Sequence, residues 1–496
     1  MIQFINSRNE EEIVKDHEAI IHGLASGGGL YTPIIKDIQI DISSLLDKSY
    51  PEIAHAILSV LLPDFTNDEI LDCIKKAYAK DKWDDASIVP VHAYKNGGIA
   101  ELWHGPTSAF KDIALTMLPN LLTTAYKKEN RNDTITILTA TSGDTGKAAL
   151  AGFCDVENTT ITVFYPENGV SDIQKRQMQT SPGKNVSVIA VKGNFDDCQN
   201  MVKDIINRKD ELESLFPITM SSANSINLGR LLPQIIYYFS SYIQLVNNKT
   251  IQCGDEINFC VPTGNFGNIL AGYYAKLLGL PIHHLICASN KNNILTDFIQ
   301  TGTYDLNREF YTTMSPSMDI LISSNLERLL FLLGGSEFVN ECMSSLKENG
   351  HYQIPKDKLE KLQETFVGYW TSEEECSKTI HDTYENYNYL IDPHTSIALS
   401  AMENYQKDTG DTRSFVVLST ASPYKFSEDV LRSLDTNSKE KDFAAMQALY
   451  AKTNVEIPKN LKDLENLDIR FTESIQKEDG YTTVLEKLKE FSNESH

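Results

Sequence analysis

Chemistry in this chain begins with a lysine. In the segment HGPTSAFKD, His104 to Asp112, a Gly-Pro turn and a small polar stretch lead to Lys111, which opens a run read as helical through Ile113–Leu118. Phe110 precedes it, and Ile113 and Ala114 follow. An amine tethered at a helix start among apolar neighbours has its pKa lowered by desolvation. The neutral amine is the form that condenses with an aldehyde to an imine. Taken alone, the segment is a weak signal and fits a solvated surface lysine better.

Four further segments offer donors. TATSGDTG, Thr139–Gly146, joins a predicted strand to a predicted helix and presents backbone N–H groups and hydroxyls where an anion is welcome. Its spacing is not that of a Walker A loop, and GxGxxG is absent, which disfavours a dinucleotide site. VPTGNFGN, Val261–Asn268, repeats the strand-to-helix arrangement. Gly264 and Gly267 permit close backbone approach to a phosphate, and Asn265 and Asn268 add side-chain donors. SANSINLGR, Ser222–Arg230, places Asn224, Ser225 and Arg230 in a small-residue stretch, and arginine suits bidentate phosphate contacts. VVLSTASPYKF, Val416–Phe426, sets Ser419 and Thr420 at a strand end. Each alone is also compatible with a plain turn or helix cap. His104 and His394 sit near Gly-Pro and Asp-Pro turns and are read as structural.

The elements that must position these groups alternate. Strands are expected at Thr134–Thr139, Thr160–Tyr165, Val186–Val191, Ile257–Val261, His284–Ala288 and Phe415–Leu418. Helices are expected at Asp144–Phe153, Ser171–Thr180, Phe195–Ile206 and Asn268–Leu278. This alternation implies βαβ units and parallel sheets covered on both faces, with ligands at the C-terminal ends of strands. Residues 1–92 read as a mainly helical N-terminal domain, with helical spacing at Glu11–Ile21, a helix start at Asn67–Glu69 and a glycine-rich loop, GLASGGGLYTP, at Gly23–Pro33. Residues 93–434 form the α/β body. Residues 435–496, rich in Lys and Glu, read as a helical C-terminal extension.

The whole chain bounds the function. It has 496 residues, 41% hydrophobic and 23% charged, as expected of a globular protein. No stretch approaches the roughly 18 apolar residues of a membrane span, and the N-terminus lacks the pattern of a secretory or transit peptide. The expected location is cytoplasmic. A net charge of −23 argues against nucleic acid or anionic membrane as partner. An anionic substrate must therefore be drawn by a local positive site. The eight cysteines are scattered without a CxxC pair, which points to buried thiols and to neither disulfides nor a metal site.

In this order, the segments HGPTSAFKD, TATSGDTG, SANSINLGR, VPTGNFGN and LSTASPYKF, with HGLASGGGLYTP before them, resemble the signatures of the threonine synthase family, in its fungal and enterobacterial long form. The resemblance runs from about residue 5 to about residue 430. It implies a fold type II pyridoxal-phosphate enzyme of tryptophan synthase β-like architecture, with two α/β subdomains and the cofactor in the cleft between them. It implies a carbon–oxygen lyase acting on phosphates, monomeric or homodimeric. The substrate would be O-phospho-L-homoserine, and β,γ-elimination and replacement with water would give L-threonine and phosphate, the last step of threonine biosynthesis. Carried over by position, Lys111 is the Schiff-base lysine and the base at Cα. Gly264, Asn265, Phe266, Gly267 and Asn268 cup the cofactor phosphate, and Thr420 meets the pyridine nitrogen. Ser142, Asp144, Thr145, Asn224, Ser225 and Arg230 receive the substrate's carboxylate and phosphate. Asp144 departs from the asparagine often found near the ring hydroxyl in related enzymes. An ionised carboxylate cannot donate a hydrogen bond, so Asp144 is either protonated or has another partner. The nearest rival is a threonine dehydratase of the same fold, which needs no phosphate pocket; a non-catalytic cofactor-binding homologue is the rival from another class.

Overall fold

A computed structural model describes residues 2–494 apart from 142 and 169. The β-branched and apolar runs form two sheets. In the larger, six strands lie in the order Phe366–Trp370, Ile282–Ser289, Ile257–Pro262, Phe415–Ser419, Gly97–Glu101, Val91–Tyr94, all parallel except the last pair. In the smaller, five strands run parallel in the order Ser474–Gln476, Val186–Lys192, Thr159–Pro166, Thr134–Ala140, Ile218–Ser221. Inner strands are covered on both faces, so they bury nearly every side chain and show no alternation. Each fully buried Ile, Val or Leu contributes ~1.5–3 kcal/mol relative to exposure. The expected α/β architecture is the one observed.

The helix Leu228–Asn247 is buried along almost its whole length and packs on Tyr50–Leu61, Lys111–Leu115 and Gly267–Leu277. It therefore ties the N-terminal domain to the segments that carry the candidate chemistry.

Three details depart from the sequence reading. Helical spacing at Glu11–Ile21 is only half realised: Asn9–Val14 is a strand, and the helix runs Asp16–His22. The strand pairs with Gln3–Asn6, which also pairs with Tyr31–Ile34, so the helical N-terminal domain carries a three-stranded antiparallel sheet. The division placed after residue 92 falls inside the strand Val91–Tyr94. Finally, the helical C-terminal extension contributes the short strand Ser474–Gln476 to the edge of the smaller sheet.

Candidate functional site

The lysine segment and the end of strand Phe415–Ser419 are laced together. Phe110 N–H donates to the Thr420 carbonyl at 2.8 Å, and Ser422 N–H donates to the Ser108 carbonyl at 3.1 Å. Lys111 and Thr420 are thereby held side by side. Lys111 is the first residue of the helix Lys111–Leu115, as its sequence position suggested. The turn before it is stapled by Asp112, whose carboxylate accepts from the Thr107 amide at 2.8 Å and the Thr107 hydroxyl at 2.6 Å. A Cβ on Gly105 would sit 2.6 Å from the Asp112 side chain, so the turn has room only for glycine.

The Lys111 amine has no hydrogen-bond acceptor or ion-pair partner among the described residues; its nearest aromatic neighbour is the Phe110 ring at 4.8 Å. Burial pushes its pKa down to about 8, against the attraction of Asp144 and with the help of the positive charges of Lys425 and Arg230. Those three side chains come from three distant segments and converge on one amine.

Asp144 opens the helix Asp144–Phe153, as expected. Its carboxylate is paired: Lys425 Nζ lies 2.7 Å from Oδ1, and both side chains are buried. Gln174 Nε2 donates to the same oxygen at 3.1 Å. Burial would raise the acid's pKa, but Lys425 and Lys111 override it and hold the group well below the ordinary carboxylate range. Lys425 is thus a partner for Asp144 of the kind the sequence left open. Lys425, quoted within LSTASPYKF but given no role, is the residue that sequence reasoning missed. Its amine also donates to the Thr107 carbonyl at 3.0 Å and so braces the turn before Lys111.

The turn Thr139–Gly146 supplies fewer free amides than its glycines suggest. Thr141 Oγ1 accepts from Gly143 N–H at 3.0 Å and from Gly146 N–H at 2.9 Å. The amides of Asp144 and Thr145 remain at the helix start, where no intrahelical acceptor exists. Gly143 holds φ 142°, in the region that favours glycine, and a Cβ there would meet the Gln174 amide at 2.4 Å. The Thr145 side chain is half-buried. Ser142 lies outside the described residues.

Arg230 sits in the first turn of the helix Leu228–Asn247 and is 4% exposed. Nη1 donates to the Ala223 carbonyl at 2.9 Å, but Nε is buried without a partner. Burial lowers its pKa to about 10, which leaves it charged at neutral pH. Asn224 is exposed and Ser225 half-buried, and neither side chain has a partner among the described residues.

The loop from Gly264 to Asn268 connects the strand Ile257–Pro262 to the helix Gly267–Leu277. Its turn is made by Phe266 at φ 63°, a conformation strained for a bulky residue. The ring is 1% exposed and packs against Phe366 at 5.6 Å, so core burial holds the strained backbone in place. A Cβ on Gly264 would approach the Ser317 carbonyl to 2.7 Å. Asn265 is exposed. Asn268 Oδ1 accepts from the Tyr237 hydroxyl at 2.6 Å and the Tyr238 hydroxyl at 3.1 Å, which orients the amide and leaves its buried NH₂ without a partner.

Both histidines are structural. His104 is held by Asp84 at 2.6 Å and Glu101 at 2.7 Å; burial disfavours its charge, yet the two carboxylates raise its pKa to about 9. His394 donates through Nδ1 to Asp392 at 2.6 Å and accepts at Nε2 from Ser317 N–H at 3.2 Å. It thus supports the segment that faces Gly264.

These side chains fit an aldehyde that carries a phosphate. A buried amine stands without an acceptor, Arg230 Nε and the Asn268 amide are orphaned donors, and the Asp144 carboxylate that attracts the amine is already paired with Lys425. Two parallel α/β units that supply such a lysine and such donors from strand ends define the class: a pyridoxal-phosphate-dependent enzyme of fold type II. A family model described as pyridoxal-phosphate dependent enzyme matches residues 101–420. Models described as threonine synthase N terminus and threonine synthase, C-terminal, match residues 3–78 and 395–483. Threonine synthase of Saccharomyces cerevisiae is 37% identical over 496 residues, covering 93% of this chain and 95% of its own. Threonine synthase-like 1 of Homo sapiens is 41% identical over 434 residues; that match takes in 84% of this chain but only 58% of the length of the human relative. The solved threonine synthase of Brucella melitensis with pyridoxal phosphate bound superposes with a TM-score of 0.87 at 33% identity, covering 99% of both chains. The chain belongs to the threonine synthase family, and its cofactor is pyridoxal 5′-phosphate.

Proposed function

We propose that this protein is a threonine synthase: it converts O-phospho-L-homoserine and water to L-threonine and phosphate, as a cytoplasmic enzyme. The observation that carries the reading is Arg230. A buried, charged guanidinium with an unpaired Nε lies within electrostatic range of the Lys111 amine. An amino acid that reacts at Lys111 thus has a phosphate site beside it, which a dehydratase would not need.

Lys111 would hold the cofactor aldehyde, the loop Gly264–Asn268 its phosphate, and the Thr420 hydroxyl its ring nitrogen. Bound there, pyridoxal phosphate supplies an electron-withdrawing ring that stabilises negative charge at the substrate Cα. The Lys111 amine would take the Cα proton; with a pKa of about 8 it is a competent base near neutral pH. Cβ then loses a proton as the Cγ–O bond to phosphate breaks, with the electron pair of that bond leaving on the phosphate, and the proton lost at Cβ is balanced by the one gained at Cγ. Arg230 and the donors of Asn224 and Ser225 stabilise the departing phosphate electrostatically. Protonation of Cγ, addition of water oxygen at Cβ and return of a proton to Cα complete threonine. Lys425 keeps Asp144 from trapping Lys111 as an ammonium ion. The Thr420 hydroxyl, unlike a carboxylate, would give the ring nitrogen no full negative partner, which would restrain transamination.

The test is a product assay on the holoenzyme. Phosphate and L-threonine should appear one for one from O-phospho-L-homoserine. Formation of the oxo acid from L-threonine at a comparable rate, with no phosphate released from the phosphorylated substrate, would assign the protein to the dehydratases instead.

A further inference from the structure

Arg328 is fully buried and has no carboxylate within ion-pair distance among the described residues. Its neighbour Glu327 is committed elsewhere, to Arg8 at 2.8 Å and to the Ser7 hydroxyl at 2.6 Å. The Arg328 guanidinium is instead spread over three oxygens on three segments. Nε donates to the Tyr31 carbonyl at 2.9 Å, Nη2 to the Ile226 carbonyl and Nη1 to the Asn325 side chain. Tyr31 belongs to the N-terminal domain, and Ile226 to the stretch that carries Asn224, Ser225 and Arg230.

Asn325 completes the node. It is also fully buried. Its amide Nδ2 donates to the Asn265 carbonyl at 3.1 Å and to the Ser225 carbonyl at 3.3 Å, and its backbone N–H donates to Asn265 again at 3.1 Å. One arginine–asparagine pair therefore grips both loops assigned to anions, and the arginine anchors that grip on the N-terminal domain. The contacts go to carbonyls, which turns the partial negative ends of those peptides toward Arg328 and leaves the side chains and remaining amides of the loops for other partners.

We propose that Arg328, through Asn325, is a positioning residue for both anion loops, and that this anchor is how the N-terminal domain sets their spacing and adds a buried positive charge close to them. The inference rests on the reading of residues 264–268 as the cofactor phosphate cup. Positive charge placed in a low-dielectric interior, unpaid by a carboxylate, is felt strongly by an anion bound nearby. Burial lowers the Arg328 pKa to about 10, so the charge persists at neutral pH. Replacing arginine by lysine keeps the charge and loses the planar fork that spans three segments.

The experiment compares two aldehydes that differ only in the phosphate. Apoprotein is titrated with pyridoxal 5′-phosphate and with pyridoxal, and the ratio of the two dissociation constants is taken. The unmodified protein should prefer the phosphorylated form strongly; equal binding of both would overturn the cup itself, independently of Arg328. In Arg328→Gln the preference should fall by about tenfold to a hundredfold, the range for losing charge-assisted hydrogen bonds. Arg328→Lys should lie between, and it carries the test alone should the glutamine variant not fold. Arg8→Ala, which cuts the separate Glu327 anchor, should lower the melting temperature and leave the ratio unchanged. A preference in Arg328→Gln or Arg328→Lys equal to that of the unmodified protein would overturn the inference. So would an equal fall in Arg8→Ala, which would mean that any loosening of the N-terminal domain has the same effect.

Discussion

Replacing Lys425 by methionine keeps most of the side-chain volume and removes one charge. In the native protein that charge neutralises Asp144 at 2.7 Å, and both groups are buried. Breaking a buried pair from one side costs ~3–5 kcal/mol, a large part of the ~5–15 kcal/mol that holds a typical domain together. The functional consequence is separate. With Lys425 gone, the nearest cation for Asp144 is Lys111, whose pKa of about 8 reflects burial, Asp144, Lys425 and Arg230 together. One unit charge at roughly 10 Å through an effective dielectric of about 20 is worth ~1.7 kcal/mol, a little over one pKa unit. At pH 7.5 an amine of pKa about 8 is roughly one-quarter neutral, and one unit higher it is about 3% neutral. Lys425→Met should therefore slow capture of the cofactor aldehyde roughly eightfold at pH 7.5. It should also move the pH midpoint of that rate upward, toward the ordinary lysine value of 10.5. Asp144→Asn should move the midpoint downward, because an unopposed Lys425 repels the protonated amine. The double variant should return close to the native midpoint and recover most of the lost stability. The assay is stopped-flow absorbance of apoprotein mixed with pyridoxal phosphate across pH, with thermal melts in parallel. Additive losses of stability in the double variant, or an unmoved midpoint in Lys425→Met, would refute this coupling.

Three further outcomes follow from the same geometry. Gly264→Ala drives a Cβ to 2.7 Å from the Ser317 carbonyl; the loop or its partner must shift, at a cost of ~1–3 kcal/mol, and absorbance titration should show weaker cofactor binding. Arg230→Leu removes the unpaired Nε and one of the cations that depress Lys111; steady-state kinetics should show a raised KM for the phosphorylated substrate together with an alkaline shift of the Lys111 midpoint. His104 has its pKa raised from 6.5 to about 9 by Asp84 and Glu101. Its stabilising contribution is complete below pH 6.5 and fades as pH rises through 9, so denaturant midpoints of the native protein and His104→Gln should converge at alkaline pH.

Much of the catalytic body was legible because buried parallel strands leave a plain signature. Runs such as Thr134–Ala140 and Ile257–Pro262 are short, apolar and β-branched, and the segments that follow them open helices where the sequence indicated. Pairings between remote segments were not legible. Lys425 and Asp144 lie far apart in the chain, and nothing local marks Lys425 as the partner of a carboxylate. Asn325 and Arg328 lie outside the segments whose glycines and hydroxyls drew attention; their burial and their shared oxygens reveal them. The strand Asn9–Val14 was hidden for a different reason. Its sequence, NEEEIV, has little intrinsic strand character, and its pairing with Gln3–Asn6 is reinforced by Glu12, which accepts from the Tyr31 hydroxyl at 2.8 Å and Asn6 at 2.8 Å. Tertiary contacts there outweigh local propensity. Likewise, Ser474–Gln476 is too short to show a period and exists as a strand by pairing with Val186–Lys192.

The central claim is that Lys111 is the amine that carries the cofactor, and borohydride tests it directly. Holoenzyme reduced with sodium borohydride should lose its visible absorbance band and yield one phosphopyridoxylated peptide, modified at Lys111. The neighbouring Lys425 and the half-buried Lys147 should remain unmodified. Modification centred on either of those lysines, or a Lys111→Ala protein that still yields a reduced cofactor adduct in this site, would contradict the account.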